Sequence, residues 1–341
     1  MSHSFQFLIE QLDSGQRLDE FFASRFGSLS RMRIANLIEA GACLVNGAVG
    51  RPGYRILAGD SVEVAFDDGA PTSMSPEPIP LETIHEDEHL IVVVKPSGML
   101  VHPTMSVKSG TLANALAYHF NRLRIEAGDW MIENLAPGAD ESIDPRSSIL
   151  SSQPVIRPGM VHRLDRATSG LMVIAKTQRA LTVLSRHFRK RLVEKRYLAW
   201  VRGIVEEEAG SINAPIGRDP DERRWRVIES GKPAETRFKV LEKLRGATVL
   251  ELEPVTGRTN QLRIHCAHIG HPIIGDEMHD DCGSKTQGQL SEILVSQPAG
   301  RLCLHAWKLA FHHPASGEWL EFAAQAPDEI ATTIKAHTQA I

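Results

Sequence analysis

The chain has 341 residues, of which 42% are hydrophobic and 23% are charged. This composition is typical of a folded protein, and the length predicts one large domain together with one small domain. The 38 lysines and arginines are outnumbered by 42 aspartates and glutamates, which gives a formal net charge of −4. The chain as a whole is therefore not basic.

Cysteine spacing and the apolar segments indicate the compartment. The four cysteines lie far apart and form no CxxC pair, which argues against a disulfide framework and against a ribbon-type zinc site. The N-terminal segment has no basic region followed by an apolar core, so no signal peptide is predicted. The apolar runs are far shorter than the about 20 residues that span a bilayer. We expect a reduced, cytoplasmic protein with no membrane partner.

Charge is unevenly distributed along the chain. Residues 157–202 contain 12 lysines and arginines but only two acids, whereas residues 67–88 contain seven acids and no lysine or arginine. A local basic block in an acidic chain predicts a surface that binds a polyanion. The alternative is a solvated helix face.

Residues 15–66 are predicted to form a small α/β module. Hydrophobic spacing and turn residues indicate the following elements in chain order: a helix over residues 18–26, a second helix after Ser30 that ends at Gly41, a hairpin turn at Asn46 and Gly47, and a strand over residues 62–66. Arg31 and Arg33 lie in the first turn of the second helix, where a basic side chain opposes the helix dipole. This placement suggests anion binding; the alternative is two exposed arginines without a ligand.

A linker and a larger domain follow. Residues 67–80, with the sequence DDGAPTSMSPEPIP, contain four prolines and almost no large apolar residue. A catalytic domain is predicted over residues 81–330. Its elements are strands near 90–94, 170–175, 197–201, 248–253, 302–311 and 319–322, helices over 111–119, 178–192 and 257–270, and loops or insertions over 121–155 and 277–300. Without a regular βαβ repeat, this order predicts the α+β class, with a mixed, largely antiparallel sheet flanked by helices.

The segment richest in reactive side chains is residues 157–170, with the sequence RPGMVHRLDRATSG. Asp165 lies between Arg163 and Arg166. An acid among cations is expected to have a lowered pKa and to stay ionised, so it can act as a nucleophile or a base. The flanking arginines would hold a phosphodiester backbone. The alternative is a structural ion pair on a surface loop.

Residues 162–170, HRLDRATSG, resemble the signature loop of the RluA-type pseudouridine synthases, which isomerise uridine in RNA. Further similarities follow in order: GMLVHP at residues 98–103, KRY at 195–197, PVTGRTNQLRIH at 254–265, and the histidine motifs LHA at 304–306 and HP at 313–314. The resemblance covers most of residues 80–330 and is closest to the RluD-like large-subunit rRNA branch. Residues 17–66 separately resemble the S4 RNA-binding module.

The resemblance implies roles for particular residues. Asp165 matches the essential aspartate, Tyr197 the active-site tyrosine, and Arg263 the arginine that pairs with the aspartate. Arg163 matches the arginine that enters the RNA when the target base leaves the stack. RNA contacts are expected from Arg163, Arg166, Arg31, Arg33, Arg189, Lys190 and Arg258. Asn260 departs from the family, which usually has histidine there.

The chemistry requires neither a redox step nor hydrolysis, so neither a cofactor nor a metal is expected. The expected partner is RNA, either ribosomal or transfer RNA. The protein is expected to act as a monomer. Asp165 can attack C1′ or remove the C2′ proton, and the sequence is compatible with both routes. A metal site at His265, His268 and His271 is the alternative chemistry, but the spacing does not converge well. Rival functions are a non-catalytic RNA-binding protein and a glycosidase that releases free uracil.

Overall fold

The computed structural model describes residues 2–11, 13–26, 31–51, 53–67, 75–104, 106–126, 156–220, 222, 224–279 and 300–339. The chain divides into two compact units: residues 1–80 with 102–158, and residues 81–101 with 159–341. In the described part of the chain, no helix is long and apolar enough to cross a membrane.

The first unit contains a four-stranded antiparallel sheet with strand order β1-β4-β2-β3. Its elements are β1 (Ser2–Leu8), α1 (Leu18–Arg25), α2 (Arg31–Glu39), β2 (Cys43–Val45), β3 (Ala48–Val49) and β4 (Ser61–Asp67). We refer to residues 2–67 as the N-terminal module. Phe21 and Phe22 of α1 are almost fully buried in its core.

The sheet of the N-terminal module begins earlier than the predicted start at residue 15. Strand β1 pairs along its whole length with β4, with Phe5 opposite Val64 and Phe7 opposite Val62. The partner of β1 lies far away in the chain, so the local pattern around β1 carried no hairpin signal. The predicted boundary therefore omitted a strand that the tertiary structure pairs.

The first unit also contains α3 (Leu112–Glu126), a longer helix than predicted. Residues 121–126, predicted as the start of a loop, continue the helix after a kink at Asn121. The Asn121 side chain donates to the Ala117 carbonyl at 2.8 Å and to the Ile156 carbonyl at 2.8 Å, which satisfies its amide at the kink. Residues 127–155 lie outside the described residues.

The second unit is built on a ten-stranded sheet. The path β10-β13-β14-β9-β15-β8-β6-β5 is extended by β16 on β15 and by β7 on β8. The strands are β5 (Glu82–Glu86), β6 (Leu90–Lys95), β7 (Gly159–Met160), β8 (Ser169–Ala175), β9 (Glu194–Arg202), β10 (Ala209–Asn213), β13 (Glu235–Leu244), β14 (Ala247–Pro254), β15 (Leu304–His312) and β16 (Trp319–Ala323). A separate ladder joins β11 (Ile216–Arg218) to β12 (Trp225–Val227).

Among the described residues, the helices that accompany the sheet are α4 (Gln178–Arg189), α5 (Gln261–His268) and α6 (Asp328–Gln339). Strands β15 and β8 pair in parallel, and the other pairs recorded among the described strands of this sheet are antiparallel. The predicted α+β class with a mixed, largely antiparallel sheet is therefore confirmed. The predicted loop at 277–300 is described only at residues 277–279, which form a bend, and at residue 300.

The close approach of β15 and β8 fixes the start of β8. Gly170 adopts φ 122°, and a Cβ atom there would lie 2.3 Å from the Ala306 carbonyl oxygen. Only glycine allows the two backbones to approach this closely. The loop that carries Asp165 therefore enters the sheet at a fixed point.

Candidate active site

A cavity of about 500 Å³ in the second unit brings several predicted site residues together. Its walls come from the loop between β7 and β8, the end of α4, β9, and the segment from residue 254 into α5. The predicted site residues that line it are Asp165, Tyr197, Arg263, Arg163, Arg189 and Arg258. Three stretches of sequence, residues 162–168, 188–197 and 254–263, thus meet with Leu304 at one cavity.

The Asp165 loop is fastened to the turn that follows β6. The Gly98 amide donates to the Arg166 carbonyl at 2.8 Å, and the Arg166 guanidinium donates back to the Gly98 carbonyl at 2.9 Å. The Ser97 hydroxyl donates to the Ala167 carbonyl at 2.7 Å. These bonds hold the residues on the C-terminal side of Asp165, so the carboxylate is carried by a fixed backbone.

Lys95 lies beneath this turn and was not predicted at the site. Its side chain is fully buried, and its ammonium group donates to the carbonyls of Pro96 at 2.8 Å, Met99 at 2.9 Å and Arg166 at 3.2 Å. Burial lowers the pKa of Lys95 to about 8, although the Asp165 charge opposes this shift. A lysine at the end of a six-residue buried strand was the available signal.

The pKa of Asp165 departs from its usual value in the direction opposite to the prediction. Burial raises the pKa of this carboxyl, and this effect outweighs the charges of Arg263, Arg163, Lys95 and His279, which lower it. The prediction of a lowered pKa was wrong because it counted neighbouring charges and ignored desolvation. A carboxylate with a raised pKa is a stronger base than an exposed one.

Arg263 also differs from the prediction. Its side chain is buried, and its guanidinium donates to Asp276 Oδ2 at 2.8 Å and Oδ1 at 2.5 Å. Its ion pair in the described residues is thus with Asp276, and its charge acts on Asp165 through space. Asp276 was not predicted at the site because its partner lies on a different element, and a single aspartate in a polar segment gives no local signal.

Asp276 is itself strongly held. Burial raises the pKa of Asp276, but the hydrogen bonds and charge of Arg263 outweigh burial and keep this pKa below its usual value. Its Oδ1 atom also accepts from the amides of Met278 at 3.0 Å and His279 at 3.3 Å. One ionised carboxylate therefore positions both the arginine and the following turn.

Tyr197 lies on β9, opposite Leu252 of β14 and Ala306 of β15. Burial raises the pKa of Tyr197, and the charge of Asp165 raises it further. The side chain is therefore a neutral phenol throughout the physiological range. It can offer a ring face or a hydrogen bond, but not a phenolate base.

Gln261 at the start of α5 fixes the segment that closes the cavity. Its Oε1 atom accepts from the Thr256 hydroxyl at 2.7 Å and from the Arg258 amide at 3.0 Å. Its amide nitrogen donates to the Glu235 carbonyl at 2.8 Å and to the Thr236 hydroxyl at 3.0 Å. These four bonds use the whole capacity of the side chain, so Gln261 serves structure here.

Two histidines near the Asp165 loop serve structural roles as well. His162 Nε2 accepts from the Val173 amide at 3.0 Å, and the ring stacks on Phe188 at 4.5 Å. Burial and the charge of Lys195 lower the pKa of His162 to about 3. His305 lies 2.9 Å from the Ser169 hydroxyl, and burial lowers its pKa to about 4. Both rings are neutral at physiological pH.

Two of the three alternative metal ligands, His265 and His271, make structural hydrogen bonds. His265 lies 2.9 Å from the Thr236 hydroxyl through Nδ1 and 3.0 Å from the Ala214 carbonyl through Nε2. His271 lies 2.9 Å from the Arg202 carbonyl through Nδ1. Because both ring nitrogens of His265 have protein partners, this ring is a poor ligand for a metal.

Positive charge dominates the cavity lining. Of the residues that the structure describes, six cationic side chains and one carboxylate, Asp165, line it; the cations are Arg163, Arg189, Arg191, Lys195, Arg258 and Arg263. Arg166 and Lys190 are exposed and do not line it. Arg31 and Arg33 lie on α2 in the other unit, and their side chains are outside the described part of the structure. The cationic lining therefore suits an anionic polymer, and the Asp165 carboxylate lies among these cations.

Comparison with known proteins identifies the family. Residues 89–268 match the RNA pseudouridylate synthase family, and this stretch contains Asp165, Tyr197 and Arg263. The chain is 37% identical over 317 residues, 92% of this chain and 91% of the relative, to an uncharacterized RNA pseudouridine synthase of Aquifex aeolicus (strain VF5). The chain belongs to the RluA-type RNA pseudouridine synthase family.

Two further similarities extend this result. A ribosomal large subunit pseudouridine synthase D of Nitrosomonas europaea is 36% identical over 325 residues, 95% of this chain and 85% of the relative. The solved structure of human RNA pseudouridylate synthase domain containing 4 matches with a TM-score of 0.53 at 23% identity, covering 74% of this chain and 92% of the human chain. The first similarity supports pseudouridine synthase activity on RNA, and the second supports the fold.

Proposed function

We propose that this synthase isomerises specific uridines of structured large-subunit ribosomal RNA, with Asp165 as the catalytic carboxylate. The observation that carries the proposal is the cavity in which one carboxylate faces six cationic side chains. The cations suit the phosphates of a folded RNA, and the carboxylate suits chemistry at a sugar carbon. The choice of ribosomal RNA follows the name of the Nitrosomonas europaea relative.

The reaction balances without a co-reactant. The N1–C1′ bond breaks, the uracil turns, and a C5–C1′ bond forms. One proton leaves C5 and one proton is added at N1. No electron is transferred to or from the substrate and no water is consumed, so the chemistry requires groups that move protons and stabilise charge.

Asp165 has two routes open to it. It can attack C1′ to form a covalent intermediate, or it can remove the C2′ proton to give a glycal. Both routes require the ionised carboxylate. Burial raises the basicity of Asp165, while Arg263, Arg163 and Lys95 favour the ionised form that both routes require.

The target base must leave its stack to reach this cavity. Arg163 is exposed, lines the cavity and lies two residues from Asp165. We assign Arg163 to the gap that the flipped nucleotide leaves in the RNA, where a guanidinium can stack and hydrogen-bond. Tyr197, a neutral phenol in the same wall, is assigned to stacking on uracil rather than to removal of the C5 proton.

The N-terminal module is proposed to act as an S4-like RNA-binding module. Two short helices followed by antiparallel strands match the order expected from the sequence. Arg31 and Arg33 fall in the first turn of α2, a turn without acidic residues. We propose that residues 81–330 form the catalytic domain after the linker at residues 67–80, and that the protein works as a monomer in the cytoplasm, where ribosomal RNA is found.

Pseudouridine mapping tests the proposal. Ribosomal and transfer RNA from a strain lacking this chain should lose pseudouridine at particular large-subunit positions. The wild-type chain should restore these sites and the Asp165→Asn variant should not. Loss confined to transfer RNA would contradict the assigned substrate, and release of free uracil by the purified protein would contradict isomerisation.

A further inference from the structure

Asn260 has an unusual conformation in the cavity wall. It lines the cavity and adopts φ 52°, a left-handed conformation that few non-glycine residues take. It occupies the N-cap position of α5, where an asparagine side chain normally accepts a hydrogen bond from the helix backbone. This side chain makes no such bond. The side-chain amide is therefore not used as a helix cap, and the left-handed backbone is one that asparagine adopts readily.

The partner of the Asn260 amide is His279. Asn260 Nδ2 lies 3.4 Å from His279 Nε2, and since an amide nitrogen can only donate, Nε2 is the acceptor. The backbone of His279 is in turn held by Asp276. Burial lowers the pKa of His279, which favours the neutral ring that this contact requires. The carboxylate that positions Arg263 thus also positions the imidazole that orients Asn260.

Asn260 differs from the other amide in the lining. All four hydrogen-bonding positions of Gln261 are used within the protein. For the Asn260 side chain, the contact with His279 is the hydrogen bond recorded in the described part of the chain. One amide hydrogen and the carbonyl oxygen are therefore left to bind a ligand.

We propose that Asn260 recognises the edge of the target uracil, with His279 as the positioning residue that fixes its amide. The carbonyl oxygen would accept from N3–H and the remaining amide hydrogen would donate to O4, a bidentate pair on one edge of the base. The inference rests on the proposed function of the cavity. It adds a specificity-determining residue that touches the base rather than the sugar or phosphates.

The fixed amide explains selectivity for uracil over cytosine. Cytosine presents an acceptor at N3 and a donor at N4, the reverse of uracil, so an amide that could rotate would accept either base. His279 holds Nδ2 on its own side, and rotation would place the Asn260 oxygen against a nitrogen lone pair. The cost of the wrong base is then an unpaired polar group in a closed site.

A cycle in which the enzyme and the substrate are changed separately and together tests the contact between Asn260 and the target base. Single-turnover rates would be measured for wild type and Asn260→Gly on a substrate RNA whose target is uridine or N3-methyluridine. Glycine suits φ 52° and removes only the side chain. In wild type, methylation should reduce the rate at least about tenfold more than in Asn260→Gly. Equal reductions in both enzymes would overturn the proposal, because the side chain would not contact N3.

Variants of the turn test the positioning role. His279→Ala should reduce the loss of rate that N3 methylation of the target causes; this loss is called the coupling below. His279→Gln, which retains an acceptor, should restore part of it. Met278→Ala is the matched control, because Met278 is the preceding residue, is 59% exposed and should leave the coupling unchanged. A coupling unaffected by His279→Ala would refute the positioning role. If the wild-type enzyme isomerises no uridine, the proposed function fails; if it does and the cycle shows no coupling, only the assignment of Asn260 fails.

Discussion

The N-terminal module and the unit that carries the cavity differ in what they bury. The core of the module is built from apolar side chains, with five phenylalanines in mutual ring contact: Phe5, Phe7, Phe21, Phe22 and Phe26. Among its described residues, Asp60 is the buried charged or polar side chain. The cavity-bearing unit buries many more: Lys95, Thr168, Ser169, Asp219, Thr236, Thr248, Gln261, Arg263, His265, Asp276 and His305.

This difference distinguishes buried polar groups that stabilise the fold from buried polar groups that act at the cavity. Asp60 is satisfied by neighbours within the module: it accepts from the Leu57 amide at 2.8 Å, from the Asn46 side chain at 2.8 Å and from the Tyr54 hydroxyl at 3.0 Å. Arg263 instead lines the cavity and lowers the pKa of Asp165 by its charge, and Asp276 holds Arg263 in place. A buried ion pair contributes little net stability, so the Arg263–Asp276 pair beside the cavity points to function.

The largest expected effect is on Asp165. Asp165→Asn retains the shape but removes the ionisable group, so turnover should fall by at least about 10³-fold while RNA affinity changes little. Asp219→Asn is the matched control, a buried carboxylate of the same unit that does not line the cavity and should retain turnover. Single-turnover rates and filter binding measure the two quantities. Substantial activity in Asp165→Asn would reject this residue as the catalyst.

The comparison of the two regions predicts that Asp276 and Asp60 both stabilise the fold but that only Asp276 affects turnover. Asp276→Asn leaves Arg263 buried without its charge partner, which should lower the free energy of unfolding by about 3 kcal/mol and turnover by about tenfold or more. Asp60→Asn should lower stability by about 1–3 kcal/mol and leave turnover unchanged at a permissive temperature. Thermal unfolding and single-turnover rates measure both. Equal losses of turnover would remove the distinction between the regions.

Removal of the N-terminal module should act on binding alone. Deleting residues 1–67 preserves Ser75, whose carbonyl accepts from the Asn114 side chain at 2.7 Å. The truncated protein should bind RNA more weakly and with a shallower dependence of log K on log salt, because Arg31 and Arg33 are lost. Its single-turnover rate at saturating RNA should be retained. Unchanged affinity and salt dependence would show that the module does not contact this substrate.

Arg189 and Lys190, two adjacent exposed cations, test where the RNA contacts the surface. Arg189 lines the cavity and Lys190 does not. Arg189→Glu should therefore flatten the salt dependence by about one unit, and Lys190→Glu should flatten it less. Neither change should alter which uridine is modified, because phosphate contacts position the RNA without reading its sequence. A larger effect of Lys190→Glu would move the path away from the cavity wall.

The smallest predicted effect is a shift in pH dependence. Arg163 lowers the pKa of Asp165, so Arg163→Gln should raise this pKa further above its usual value. Since the ionised form is the active one, the acidic limb of the pH–rate profile should move to higher pH. Arg258→Gln is the control, because Arg258 lines the cavity but is not among the charges that shift Asp165. An unchanged limb in Arg163→Gln would mean that solvent screens this charge.

Local patterns predicted much of the site. Residues 162–170 and 254–265 are contiguous motifs, and both line the cavity together with Tyr197. Strand β6 was recognisable because an uninterrupted β-branched run is typical of a buried strand. Near the end of α4, however, the apolar spacing included Leu192, which lies beyond the helix and is 49% exposed. Periodicity predicts the presence of a helix better than its last turn.

The sequence by itself determined the fold class, the family and six of the residues that line the cavity, because these depend on local dihedral preferences, alternation and contiguous motifs. Only the tertiary structure decided the pairing of β1 with β4, the partnership of Arg263 with Asp276, the place of Lys95 beneath the Asp165 loop, and the raised pKa of Asp165. Each depends on segments distant in sequence. Desolvation in particular is set by all the atoms that surround a group, and a list of its neighbours along the chain does not contain them.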